Sequence, residues 1–248
     1  MRIRVILQAD RPIWVPWHYP EWLQGVIYEA LKRSAPKLAS YLHSEGFKVG
    51  SRRYKLMTFS WLFARSTTRH DTGLSLGPPI KWWISSPLMA VIEALAEALL
   101  THPEVTLGRE KVCVEKVLVE PPFQPMAPVL LETLSPIVVS TGTVEKGNMR
   151  KIFLSPEDER FSEVITENLQ NKSKAFSGAE VPGGRVTLLP LKYRSRLVTI
   201  HGTKVKCYEG IFKANGDLEL IKLGYEAGFG ERNSQGFGMM KTVNFRSP

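Results

Sequence analysis

Cysteine is scarce in this chain, which has two in 248 residues, Cys113 and Cys207. Neither has a second cysteine or a histidine close by in sequence, which excludes a cysteine-rich zinc site and a disulfide framework. Both lie in alternating, strand-like sequence, so we expect them to be small core or sheet residues. This cysteine usage is typical of a protein of the reducing cytoplasm.

Long hydrophobic runs are also missing. The longest, residues 88–100, contains Glu93 and Glu97 and is shorter than the roughly 18 residues that a membrane span needs. The first ten residues lack the apolar run and the small-residue cleavage site of a signal peptide. We therefore expect neither secretion nor a membrane partner.

Acidic residues are outnumbered, and the basic excess is concentrated. The net charge is +9 and the sequence pI is about 9.6. Residues 32–69 contain nine Lys or Arg against one carboxylate, and residues 185–213 contain seven against one. Both stretches are interleaved with aromatic residues, a composition that suits single-stranded nucleic acid. The alternative is that each run is an ordinary solvated face.

The first half of the chain has the pattern of one compact unit. Its periodicity predicts strands at 2–8, 55–63, 80–85 and 111–119, helices at 21–33 and 34–43, and a helix after the Ser86 cap with its apolar face within 88–99. The sequences 71–73 and 77–79 are turn-like. This βαββαβ order is that of a ferredoxin-like, or RRM-like, fold.

A second unit follows the proline-rich segment 121–128, which we interpret as a linker. The sequence pattern of this unit predicts strands at 129–140, 185–191, 196–213, 218–223 and 238–243, with a helix starting at 155–158. The expected fold class is therefore α+β, with two tandem ferredoxin-like domains, 1–122 and 123–248, facing a shared cleft. In the second domain the outer helix is expected to be replaced or shortened.

The C-terminal region has a glycine-rich segment, with five glycines within 224–238. It is neither a P-loop nor a dinucleotide-binding fingerprint. The run Gly-Phe-Gly-Glu-Arg-Asn-Ser-Gln-Gly-Phe-Gly-Met at 228–239 resembles the glycine-rich loop of the CRISPR-associated protein six family. Other matches to this family lie at 23–28, 36–43, 55–60 and 134–137, in the family's order, so the resemblance spans nearly the whole chain.

The resemblance implies an endoribonuclease that cuts CRISPR precursor RNA within its repeats. It implies cleavage without a metal or other cofactor, leaving 2′,3′-cyclic phosphate and 5′-hydroxyl ends. The partners that it implies are CRISPR repeat RNA and an effector complex that receives the trimmed guide. The sequence leaves the oligomeric state open, as monomer or homodimer.

Three residues match catalytic positions of the family. His43 matches the catalytic histidine, Tyr28 a tyrosine that contacts the scissile region, and Lys55 a cation that stabilises developing negative charge. Each has a simpler interpretation: a helix-end cap, a residue at the boundary of the core and a strand-edge lysine. The cation assignment also stays open between Lys55 and its neighbours Lys48, Arg52 and Arg53.

Phosphate contacts are expected from the basic segments and from the glycine-rich loop. The candidate RNA-binding residues are Lys48, Arg52, Arg53, Arg194, Arg196, Lys204, Lys206, Arg232 and Asn233. Two other functions remain open: a repeat-binding subunit of the same fold that does not cut RNA, and an unrelated regulator that binds an acidic ligand.

Overall fold

The computed structural model describes residues 1–145 and 148–243, including all side chains except those of 143–150. Its helices are α1 (Pro20–Ser34), α2 (Pro36–Ser44), α3 (Met89–Thr101), α4 (Phe161–Ser177) and α5 (Leu218–Ala227), with a short 3-10 helix at Asn233–Gln235. Its strands are β1 (Arg2–Gln8), β2 (Ile13–Pro16), β3 (Phe47–Val49), β4 (Arg52–Tyr54), β5 (Thr58–Phe59), β6 (Phe63–Arg69), β7 (Gly73–Ser85), β8 (Glu104–Leu107), β9 (Glu110–Val119), β10 (Val129–Thr133), β11 (Ser140–Glu145), β12 (Asn148–Phe153), β13 (Val186–Ile200), β14 (Thr203–Gly216) and β15 (Met240–Thr242). In the described part of the chain no helix is long and apolar enough to cross a membrane.

The first unit is built from β1, α1, β6, β7, α3 and β9, which follow one another in βαββαβ order. Strand β1 lies between β7 and β9, β7 also pairs with β6, and every pair is antiparallel. Ile3 and Val5 of β1 and Leu23 and Ile27 of α1 are buried in one core. The two-residue period of the strand and the helical period of α1 thus place their apolar faces against each other.

The second unit repeats this arrangement with β10, α4, β13, β14, α5 and β15. Its sheet has the order β13-β14-β10-β15. Ile165 and Leu169 of α4 pack with Leu220 of α5 and Phe212 of β14 in a second core. The predicted fold class, two tandem ferredoxin-like units, is confirmed.

One predicted element of the second unit is wrong. Residues 218–223 are the start of helix α5, not a strand. The Asp217 carboxylate caps this helix by accepting hydrogen bonds from the backbone N–H groups of Glu219 and Leu220, at 2.9 and 3.0 Å. A capped N-terminus and an apolar face that meets α4 outweigh the strand-like composition of the segment. The outer helix that we expected to be replaced or shortened is therefore present as α5, with 10 residues against 13 in α3.

The predicted strand at 55–63 is also interrupted. Within these residues only Thr58–Phe59 is a complete strand, and Phe63 begins β6. Leu56 adopts a left-handed backbone with φ of 50°, which breaks the extended run after Lys55. Its carbonyl accepts a hydrogen bond from the Ser86 hydroxyl at 2.6 Å, so this bend is held by the adjacent chain.

Several predicted boundaries differ because a turn falls elsewhere. The predicted turn at 77–79 lies inside the long strand β7, whereas the predicted strand at 196–213 reverses at 201–202 between β13 and β14. The prediction at 129–140 is divided between β10 and the start of β11, and the second-unit helix begins at Phe161, after turns at 156–160.

The two units meet through buried contacts from the first sheet. The Arg2 guanidinium donates to the carbonyls of Met240 and Tyr225, at 2.8 and 2.7 Å, and lies 3.8 Å from the centre of the Tyr225 ring. The Thr58 hydroxyl donates to the Phe237 carbonyl, and the Trp61 indole N–H to the Gly236 carbonyl, each at 3.0 Å. The glycine-rich segment is therefore packed directly on the strand that follows Lys55.

Candidate active site

His43 lies in the last turn of α2 with its side chain exposed. The helix begins with Pro36 at its first position and ends where the backbone N–H of Gly46 bonds to the Tyr41 carbonyl at 2.7 Å. Gly46 has φ of 62°, and a Cβ atom there would lie 2.8 Å from the Tyr54 carbonyl oxygen. Glycine thus lets β4 approach the end of the helix that presents His43.

Tyr28 stands next to His43. The two rings meet edge to face, with centroids 5.5 Å apart and planes at 87°. Tyr28 is half-buried on α1, and burial raises the pKa of its phenol to about 12. Its hydroxyl therefore stays protonated at neutral pH and can donate a hydrogen bond.

Lys55, the third predicted catalytic residue, contacts the main chain of α2. Its ammonium donates to the carbonyl of His43 at 2.9 Å, and the Arg53 guanidinium donates to the next carbonyl, that of Ser44, at 2.7 Å. Both cations complement the negative end of the α2 dipole. Burial, with a smaller contribution from the charge of Arg53, lowers the pKa of Lys55. The structure thus brings together the three predicted catalytic residues.

A cleft of about 580 Å³ lies between the two units on this side. Six basic residues and two carboxylates, Glu167 and Glu231, line it. The basic residues are Arg52, Arg53, Lys55, Lys151, Lys172 and Arg232. Such an excess of positive charge in a concave site attracts a polyanion.

The alternative cations occupy different places: Arg52 and Arg53 line this cleft, whereas Lys48 is not among its lining residues. Lys48 and Arg53 are paired across the small β3-β4 hairpin, and both are exposed. Arg52 reaches across to the second unit and pairs with Glu167 at 3.3 Å. Among these candidates, Lys55 is the one bonded to His43, which favours it for the chemical step.

The structure gives Asn233 a role different from the predicted RNA contact. Its side chain is buried, and its amide nitrogen donates to the carbonyls of Phe229 and Phe237, at 3.2 and 3.0 Å. These bonds tie the two ends of the glycine-rich loop together. Arg232, the residue before it, remains partly exposed at the cleft.

Lys172 is the functional candidate that sequence reasoning missed. It is 2% exposed on α4, and its amine donates to the carbonyls of Gly228 and Gly230, at 2.6 and 3.0 Å. Burial lowers its pKa to about 7. A signal was available, because Lys172 follows Ile165 and Leu169 at helical spacing and so belongs to the apolar face of α4.

The four basic residues predicted on the β13-β14 hairpin do not form one row. Cross-strand pairs share a face, so Lys206 lies with Leu197, whereas Arg194 lies with its partner Glu209 on the other face. Arg194 and Arg196 form ion pairs with Glu209, at 2.8 and 2.7 Å. Lys204, two residues before Lys206, shares the face of Lys206. The two arginines therefore lie on one face of the hairpin and the two lysines on the other.

His201, which has no predicted role, docks the tip of this hairpin onto α1. Its backbone N–H donates to the Glu21 carboxylate at 2.7 Å, and its ring nitrogen lies 3.0 Å from the Gln24 side-chain oxygen. Gln24 precedes Tyr28 by one helical turn, so the hairpin tip reaches the face of α1 that carries Tyr28.

Both cysteines are free thiols on strands, and burial raises the pKa of Cys207 to about 12. Within 1–145 and 148–243 there is no cluster of three or more His, Cys, Asp or Glu side chains that could hold a metal ion.

Family models match both halves of the chain. The model for CRISPR-associated protein Cas6, N-terminal, matches residues 14–118, and that for CRISPR associated protein Cas6, C-terminal, matches residues 119–242. A solved structure described as CRISPR associated protein Cas6 has a TM-score of 0.82 and 31% identity, covering 98% of this chain and 99% of that chain. Another, described as an RAMP protein binding different RNA substrates, has a TM-score of 0.84 and 29% identity, covering 98% and 100%.

Curated relatives agree with this assignment. The chain is 35% identical over 237 residues to the CRISPR-associated endoribonuclease Cas6 of Pyrococcus furiosus, which covers 94% of this chain and 85% of the relative. It is 31% identical over 245 residues to the CRISPR-associated endoribonuclease Cas6 1 of Methanocaldococcus jannaschii, covering 98% and 93%. Two family models that together span residues 14–242, and a relative at 35% identity over most of both chains, establish that this chain belongs to the CRISPR-associated Cas6 family.

Proposed function

We propose that this protein is a metal-independent endoribonuclease that binds CRISPR repeat RNA and cleaves precursor crRNA within the repeat. The proposal rests on the ring contact between Tyr28 and His43 and on the hydrogen bond from Lys55 to the His43 carbonyl. Lys55 also lines the basic cleft. The names of the curated relatives, CRISPR-associated endoribonucleases, support the same activity.

The reaction uses a nucleophile that RNA already contains. The 2′-oxygen forms a bond to the adjacent phosphorus while the bond from phosphorus to the 5′-oxygen breaks, which leaves a 2′,3′-cyclic phosphate and a 5′-hydroxyl. One proton leaves the 2′-hydroxyl and one reaches the 5′-oxygen. His43 is assigned to proton transfer, because imidazole titrates near neutrality. Lys55 stabilises the charge on the phosphorane, and the Tyr28 hydroxyl donates to the scissile region.

Repeat RNA binds along the basic cleft in this proposal. Arg52, Arg53, Lys48 and Arg232 contact phosphates near the catalytic group, while the hairpin arginines and lysines contact RNA from opposite faces. Phosphate contacts fix position and make the affinity fall as salt rises. Base stacking and contacts to base edges would supply sequence recognition.

The decisive experiment is cleavage of an end-labelled repeat RNA in excess EDTA, with the unmodified protein compared with His43→Ala. We expect cyclic-phosphate ends from the unmodified protein, and RNA binding without cleavage from His43→Ala. A substrate with a 2′-deoxy nucleotide at the scissile position should not be cut, and its cleavage would exclude the proposed nucleophile. Normal turnover by His43→Ala would remove the histidine from the mechanism.

The same experiment distinguishes the endoribonuclease from the second candidate function, a repeat-binding subunit that does not cut RNA. Tight binding by the unmodified protein with no product would establish that function, and His43 would then be a helix-end cap. Absence of repeat-RNA binding at moderate salt would exclude both functions.

The proposal includes the surroundings of the enzyme. It acts in the cytoplasm and passes the trimmed RNA to a CRISPR effector complex. We place the boundary between its two domains at residues 122 and 123, within the segment that joins the end of β9 at Val119 to the start of β10 at Val129.

A further inference from the structure

We propose that Lys172 is a positioning residue, which holds the glycine-rich loop so that Arg232 meets an RNA phosphate in the cleft. The inference rests on the proposed RNA-binding function and adds to it a residue of the second unit that makes no RNA contact itself.

The bonding of Lys172 is specific to the loop. Its amine reaches two carbonyls that are two residues apart, those of Gly228 and Gly230, at 2.6 and 3.0 Å. Phe229, between them, is fully buried, and its N–H donates to the Gly238 carbonyl at 2.8 Å. The start of the loop is thereby fastened to α4.

The residues on both sides of Arg232 are fastened as well. The Glu231 N–H donates to the Val138 carbonyl at 2.8 Å, and its carboxylate accepts the Ser140 hydroxyl and the Lys151 ammonium, each at 2.6 Å. On the other side, the Asn233 amide bonds across the loop. Arg232 is thus a partly exposed side chain in a segment anchored on both sides.

The backbone of Arg232 needs this support. It has φ of 58°, a left-handed conformation that is unfavourable for a residue with a side chain and persists only where the surrounding structure enforces it. Its guanidinium donates to the Gln235 side chain at 3.0 Å and lines the cleft. Without the bonds to Gly228 and Gly230, we expect the loop to relax and Arg232 to leave this position.

The burial of Lys172 is otherwise difficult to explain. An amine placed in the interior beside a cleft rich in cations loses hydration, and this is costly unless hydrogen bonds replace the water. Two carbonyls supply that replacement. Because a lysine amine keeps two N–H donors in either protonation state, both bonds to the loop persist across neutral pH.

A double-mutant cycle tests the proposal. Binding of a 2′-deoxy repeat RNA, which is not cut, is measured by fluorescence anisotropy for Lys172→Met, Arg232→Ala and the double variant, below their melting temperatures. We expect each single variant to weaken binding by about tenfold, the size of one charged hydrogen bond, and the double variant to bind within about twofold of either one, because coupled residues are not additive. Lys174→Met, an exposed lysine on the same helix, should bind like the unmodified protein.

Two outcomes would overturn the inference: unchanged affinity in Lys172→Met, or losses that multiply in the double variant. In either case the unmodified protein still binds repeat RNA, whereas failure of the proposed function would appear as no binding by any variant. Single-turnover cleavage at saturating protein should stay within about threefold in Lys172→Met, since the loss is in binding. If Lys172→Met does not fold, Lys172→Gln, which keeps an N–H donor, takes its place in the cycle, and additive losses would refute the proposal equally.

Discussion

The ammonium of Lys55 donates a hydrogen bond to the main-chain carbonyl of His43, 2.9 Å away and twelve residues earlier in the chain. The bond links the end of α2 to the segment that follows β4. It therefore holds the lysine beside the main chain of the histidine. The β3-β4 hairpin between the two residues contains other basic residues, but Lys55 is the one bonded to His43.

Replacing Lys55 should affect the chemical step more than replacing its basic neighbours. We expect Lys55→Ala to slow single-turnover cleavage by roughly 100-fold or more, the cost of removing one stabilising donor from a transition state. Lys48→Ala, which removes an exposed cation of β3, is the matched control and should stay within a few-fold. The reverse ranking would assign the stabilising charge to the β3-β4 hairpin.

Tyr28→Phe should separate the contribution of the hydroxyl to cleavage from that of the ring. The variant keeps the edge-to-face contact with His43 and removes only the donor, so the melting temperature should not change. We expect cleavage to slow by roughly 10- to 100-fold, the range for a hydrogen bond to a charged group, with repeat-RNA affinity unchanged. Equal cleavage rates for both proteins would reduce Tyr28 to a packing partner of the histidine.

The stability of the protein should depend on pH through Lys172. Its pKa is about 7 in the folded protein, against an ordinary value of 10.5. Between these values the unfolded chain binds more protons, so the contribution of Lys172 to the free energy of unfolding rises with pH from about 7 to 10.5. Glu231, the carboxylate that faces Lys172, opposes the shift but does not cancel it.

Urea unfolding at pH 7 and pH 9.5 measures this rise. Lys172→Met should flatten it, whereas Lys174→Met should preserve it. An identical pH dependence in all three proteins would mean that the folded state keeps Lys172 hydrated.

Gly236 should tolerate no side chain. It has φ of 84°, and a Cβ atom there would lie 2.6 Å from the Phe59 ring, so substitution adds overpacking to backbone strain. Gly178, with φ of 81° and open space at its Cβ position, is the matched control for strain alone. We expect Gly236→Ala to lose about 1–3 kcal/mol more stability than Gly178→Ala in denaturant unfolding. Equal losses would show that the loop can move away from Phe59.

Local patterns were sufficient for much of the fold. The strand at β1, the helix at α1 and its apolar face follow from periods of two and 3.6 residues, which persist whatever the rest of the chain does. Predictions from composition were wrong where a single contact determines the secondary structure. Residues 218–223 become a helix because Asp217 caps them and α4 receives their apolar side, and the bend at Leu56 depends on a bond from Ser86.

The periodicity of the chain predicted the two-unit fold, its composition showed the excess positive charge, and the motif around 228–239 indicated the family resemblance. Only the folded chain shows which basic residues meet in one cleft, that Asn233 holds the loop, and that Arg194 and Lys206 lie on opposite faces of a hairpin. The two kinds of feature differ in how far apart in sequence the interacting residues are. Periodicity and charge are properties of neighbouring residues, whereas the bond between Lys172 and Gly228 joins residues 56 positions apart and exists only after α4 and the glycine-rich loop have packed together.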